Sequence, residues 1–229
     1  MTSGLQFRGD DTDSNFHVWL QQLKRRGSNL LVTGNVPDSI SAKAARALFG
    51  HGRKRYRILA LIDRTIDSPE SRFPEHASVA DTTTWVIDQR NGERSIPAAA
   101  SSAASYLDPP RKDNIHQLGE EIQTAIGFYE EHENGLDPAQ LRVGIDSLFP
   151  LIQRDEGATK RILRTLTATV RGVSGMAHYH LRVRDEEPIV EELTPLFDAR
   201  IELRRKPGLK PEQRWHVPEL EKTTVWIEL

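Results

Sequence analysis

Gly27-Ser-Asn-Leu-Leu-Val-Thr-Gly34-Asn-Val-Pro-Asp-Ser-Ile-Ser41-Ala-Lys-Ala-Ala-Arg-Ala-Leu-Phe49 is the stretch whose reading decides the fold. Residues 29–33 are a short apolar run, Gly34 opens a turn, and Ile40, Ala44, Ala47 and Leu48 then fall at helical spacing. Strand, glycine and helix in that order are the layout of a phosphate-binding loop. The small alanines let the helix lie close to a sheet, and Gly50 and Gly52 end it.

Upstream, Phe16, Trp19, Leu20 and Leu23 recur at i, i+3, i+4 and i+7, one face of a helix. Asp13 or Ser14 can cap it. Lys24, Arg25 and Arg26 occupy its last turn, where cations suit the negative end of the helix dipole. Residues 1–14 are expected to be a flexible tail; they contain three aspartates and no apolar stretch of the kind a secretory signal needs.

Downstream, Arg53, Lys54, Arg55 and Arg57 precede the continuous apolar run Ile58 to Ile62, the pattern of a buried parallel strand. Asp63 and Arg64 follow. Residues 65–83 read as a long loop, Thr84 to Asp88 as a strand, and 89–113 as a second long loop with a helical turn near Ala98 to Ser105. Ile115, Leu118, Ile122, Ala125, Ile126 and Tyr129 form the strongest helical stripe of the chain. A strand over 141–145 ending in Asp146, a helix over 157–171, a strand over 176–183 and a short helix over 186–196 come next. Residues 199–205, 213–218 and 223–229 are strand-like with no helix between them, so their connections should be antiparallel hairpins. The sum is an α/β fold: a mainly parallel sheet flanked by helices on both faces, closed by an antiparallel meander. No composition shift divides the 229 residues, so one domain is expected.

The chain has no cysteine, which excludes disulfides, thiolate metal sites and cysteine nucleophiles. A formal net charge of -2 gives no global pull toward nucleic acid, so such binding would need a local patch. No apolar run reaches the roughly 20 residues of a membrane helix. No membrane partner is expected, and the cytoplasm is the expected compartment.

In this order of elements the chain resembles the RecA/KaiC-like NTPase superfamily, especially its short degenerate members from halophilic archaea. Three parts carry the resemblance. They are the helix running through Gly27 into the strand and Gly34, the strand ending in Asp146 at the Walker B position, and Glu192 to Leu203 followed by Arg214-Trp-His-Val-Pro218 as closing helix and hairpin. In intact members such a loop, G-x-x-x-x-G-K-[ST], holds ATP and Mg²⁺. Counted from Gly34, the second glycine is Ser39, the lysine is Ile40, and Ser41 alone keeps its type. Pro37 removes an N–H donor, Asp38 repels phosphate at the helix start, and Lys43 points away from Ser41. The resemblance therefore implies a vestigial nucleotide site: Gly34, Ser41, Asp63 at the family's catalytic position, and Asp146. Arg64 beside Asp63 offers it a structural ion pair, and Asp146 has the alternative reading of a turn or capping aspartate. No residue is assigned a catalytic role.

His178 and His180 share one face of a strand, but no third ligand accompanies them, so no metal is expected and a partly covered polar face is the reading. Ser147 and Ser174 lack a nucleophile pattern. The leading expectation is a non-catalytic regulatory or signalling module whose partner is a protein or a second copy of the chain. One alternative is an ATPase that receives a basic residue in trans. Another is a DNA-associated protein using Arg53, Lys54, Arg55 and Arg57, with Arg204, Arg205, Lys206 and Lys210 as a second basic cluster.

Overall fold

The computed structural model describes residues 12–52, 54–66, 68–90 and 115–229. Nine strands form one sheet: β1 (Ser28–Thr33), β2 (Tyr56–Leu61), β3 (Thr84–Asp88), β4 (Leu141–Ile145), β5 (Met176–Leu181), β6 (Ala199–Arg204), β7 (Glu212–Val217), β8 (Lys222–Thr223) and β9 (Ile227–Glu228). Their order is β3-β2-β4-β5-β1-β6-β7-β8, with β9 also on β7. The pairings from β3 through β6 are parallel, and those made by β7 are antiparallel. This order differs from the dinucleotide-binding order 3-2-1-4-5-6, because β4 and β5 lie between β2 and β1.

Helices cover both faces. α1 (Thr12–Arg26) and α2 (Asp38–Phe49) lie on one; α3 (Ile115–Glu133), α5 (Glu156–Gly172) and α6 (Pro188–Leu193) lie on the other. Strand alternation sorts the core between them. Leu30 and Val32 pack with Phe16, Trp19, Leu23, Ile40 and Ala44, whereas Leu31 joins Leu118, Ile122, Leu163 and Val190. The stripe that predicts α3 is buried from Ile115 through Tyr129. Asp155 caps α5 by accepting the Ala158 amide. A further short helix, α4 (Phe149–Arg154), fills the gap the sequence leaves after Asp146. Its six residues and early proline leave too little periodicity to read.

Residues 65–83 are a loop, as expected, with one 3₁₀ turn at Pro69–Arg72, and the loop is packed against the sheet. Ile66 and Phe73 complete a small core with Phe49, Leu59, Leu61 and Val86, and the Arg46 guanidinium donates to the Ser71 carbonyl. The closing meander is a β6–β7 hairpin followed by two short strands, both paired with β7, rather than three full strands. Among the described residues no helix is long and apolar enough to cross a membrane. The helical turn expected at 98–105, most of the 89–113 loop, the tail through residue 11 and Arg53 lie outside the described residues.

Candidate functional site

The chain leaves β1 toward β2, passing over β5 and β4, and leaves β5 toward β6, passing over β1. Adjacent strands whose connections diverge in this way open a crevice beyond their carboxyl ends. α2 begins at that crevice, one residue past Pro37, with Asp38 in its first turn.

The start of α2 carries the chain's own anion. Arg72 grips the Asp38 carboxylate with two nitrogens, at 2.6 and 3.3 Å, and Arg182 approaches the same carboxylate at 3.4 Å. Arg182 also reaches Asp63, at 3.2 Å. Arg72 is 1% exposed, so its charge depends on Asp38 for compensation. A carboxylate at a helix N-terminus already meets the dipole there. Asp38 places a negative charge in the first turn of α2 and Pro37 brings no N–H, so the residues present suit a nucleotide phosphate poorly at this turn.

Each residue singled out from the sequence has a local role. Gly34 has φ +121°, and a Cβ there would run into the Leu203 carbonyl, so this glycine serves the close approach of β1 to β6. The Ser41 hydroxyl lies 2.7 Å from Nδ1 of His180, with both groups buried. Asp63 accepts from the Thr65 amide and hydroxyl and pairs with Arg182, in place of the expected Arg64. Asp146 is buried, and its oxygens accept the Ile62 amide at 2.8 Å and the Asp63 amide at 3.4 Å. These bonds tie the end of β2 to β4. Burial pushes the Asp146 carboxyl up to about 7, against the opposing pull of the two amides and Arg72.

His178 and His180 are wholly inside, which corrects the expected partly covered face. His178 sits edge-on against Phe49, and the two imidazoles are 5.4 Å apart. Burial, then the positive charges of Arg142 and Arg72, hold His178 at about 3. Burial also holds His180 well below its usual range, with His178, Arg72 and Arg182 adding to it. Both rings are thus neutral at physiological pH. Arg72 and Arg182, which organise this crevice, carry no signal in the sequence. One sits in a segment with the composition of a loop, and the other follows a strand with no motif around it.

The basic cluster lies at the opposite, amino-terminal end of the sheet. Arg57 is 1% exposed, and its guanidinium donates to the Gly50, Gly52 and Arg55 carbonyls at 2.9, 2.8 and 3.1 Å. It caps the carboxyl end of α2 and is not free to follow a nucleic-acid backbone, as the sequence reading allowed. Arg55 is half-buried against Gly50 and Gly52 and donates to the Phe49 carbonyl, while Lys54 is exposed. Arg142, also buried, reaches the Ala139 and Leu48 carbonyls.

One further polar group, missed in the sequence, joins β6 and β7 to the segment after β5. Asp185, Glu202 and His216 bring ligand atoms within 4.8 Å of one another. Those oxygens are already engaged, Glu202 by Arg214 at 2.5 Å and Asp185 by Arg200 at 3.3 Å. A divalent cation would face two guanidiniums at contact range, so the group is a charge network along the hairpin. The pairs Arg200–His216, Glu202–Arg214 and Arg204–Glu212 stand opposite each other in register. Alternate residues on adjacent strands give no local motif to read.

Residues 27–203 match the model of a family of unknown function, DUF7504, and the chain belongs to that family. No curated protein matches it.

Proposed function

We propose that this chain is a non-catalytic RecA/KaiC-like domain, a regulatory or protein-interaction module of the cytoplasm that retains the α/β scaffold without its nucleotide chemistry. One observation carries the reading. Asp38 stands in the first turn of α2, with its carboxylate clamped by Arg72 and Arg182. Two others support it. Ser41, the one loop residue that keeps its type, bonds inward to His180, and Asp146 is committed to two backbone amides. A protein or a second copy of the chain is the partner this reading calls for.

The test is phosphate release from Mg²⁺-ATP over a range of protein concentrations, because an ATPase completed in trans would turn on with assembly. The expected result is release at the buffer rate throughout, unchanged in Asp146→Ala. Release that rises with concentration and is lost in Asp146→Ala overturns the proposal. Nucleotide binding without hydrolysis is assigned by variant. Weakening in Ser41→Ala points to α2 and counts against this reading, whereas weakening in Lys54→Ala points to the far end of the sheet and leaves it intact.

A further inference from the structure

We propose that the concavity at the amino-terminal end of the sheet, lined by Lys24, Lys54, Arg55 and Arg142, is a binding site for the phosphate group of a small molecule. The cavity measures about 560 Å³, and Gly52, Asp137 and the turn through Gln140 complete its wall. That volume lies inside the range of small-ligand pockets, about 300–1,000 Å³.

The charge balance is the main argument. Three guanidiniums, Arg55, Arg57 and Arg142, gather around the carboxyl end of α2. Among the described residues none of them has a carboxylate within ion-pair distance. Capping of the helix explains part of the arrangement, since its last carbonyls carry about half an elementary negative charge. Arg57 opens on a neighbouring concavity shared with Asp81, whose charge acts on it, so Arg55 and Arg142, with Lys24 and Lys54 at the rim, are the positive charges that line this cavity. Among the described residues, the exposed Asp137 is the only carboxylate in the wall.

Burial makes the excess costly. Arg142, which lines the cavity, is 6% exposed. Burial, with the charges of Arg55 and Arg57, draws the Arg142 guanidinium down to about 9. An oxyanion in the cavity would supply the missing counter-charge, and the guanidinium fork suits phosphate geometry. Concavity favours a compact ligand over a duplex backbone, which is followed by cations strung along a surface.

The test is isothermal titration with inorganic pyrophosphate at low ionic strength. Saturable binding is expected, weakened roughly tenfold or more, on the affinity scale, by Lys24→Ala plus Lys54→Ala. Both lysines are exposed, so that variant keeps its fold. The matched control, Arg205→Ala plus Lys206→Ala, removes the same charge from exposed positions on the far hairpin and should leave affinity unchanged. Asp146→Ala should also leave it unchanged, which separates this site from the crevice at the start of α2. Absence of binding up to about 1 mM, or equal weakening in both double variants, overturns the proposal. So does a single-stranded oligonucleotide whose affinity exceeds that of pyrophosphate and grows with its length, because the surface would then be a nucleic-acid track.

Discussion

Arginines gather at both ends of this sheet, and the two ends treat them differently. At the carboxyl end, Arg72 and Arg182 close on Asp38 and Asp63, and Arg90 closes on Asp88. Each of these three cations has a carboxylate, so their charge in the crevice is compensated from within. At the amino end, Arg55, Arg57 and Arg142 meet backbone carbonyls, the Met176 sulfur and the His76 ring, with no carboxylate at ion-pair distance among the described residues. The divergence of β1 and β5 marks the carboxyl end as the place to seek a ligand. The pairing of charges marks the amino end instead. An arginine is available to a ligand only when its own chain has not already supplied the anion.

Four experiments test the contrast. The largest effect is expected at Asp146, whose carboxyl lies at about 7 in the fold against 3.8 for an ordinary aspartate. Between those values the folded state keeps a proton that the unfolded chain releases, so stability falls as pH rises. The loss is on the order of 4 kcal/mol from pH 4 to pH 8. Urea unfolding at the two pH values should show this slope in the native chain and not in Asp146→Asn. An unchanged slope in the variant would mean that Asp146 is solvated as an ordinary carboxylate.

Asp38→Ala should follow, with a cost of about 3 kcal/mol, because it strands the buried Arg72 guanidinium. Denaturant midpoints of Asp38→Ala, Arg72→Met and the double variant form the relevant cycle. The double variant should be less damaged than the sum of the singles. Additive losses would show that the clamp is incidental and would erase the contrast between the two ends.

Gly34→Ala should cost roughly 2 kcal/mol, because alanine is strained at this positive φ. Thermal unfolding reads it. A neutral result would free the glycine from its packing role against Leu203 and reopen the turn as a place for a ligand.

The smallest effect on stability belongs to the amino end. Lys24→Ala plus Lys54→Ala should move the unfolding free energy by no more than about 0.5 kcal/mol, and upward if at all, because it removes unpaired positive charge. A clear loss would mean that these lysines make contacts essential to the fold.

How much of this could be read in advance varies with the range of the interaction. The stripe of α3 is legible because its apolar spacing is a local property, and every stripe residue from Ile115 to Tyr129 is buried. The strand, glycine and helix from Ser28 to Phe49 are legible for the same reason. The basic run at 54–57 is visible as composition, yet its meaning changed in the fold. Arg57 alternates inward on its strand and is consumed by the end of α2, whereas Lys54 stays in solvent. The packed segment at 65–83 was hidden because its two buried apolar residues, Ile66 and Phe73, are too far apart to show a period.

The sequence by itself determined the alternation of strands and helices and the strand, glycine and helix from Ser28 to Phe49, because each depends on residues near one another in the chain. The tertiary structure alone decided what surrounds the turn after Gly34. Arg72 lies 34 residues from Asp38 and Arg182 lies 119 from Asp63. No periodicity links residues so far apart. They meet because the strand order puts the ends of β1, β2 and β5 at one crevice, and a buried charge there is stable only beside its opposite.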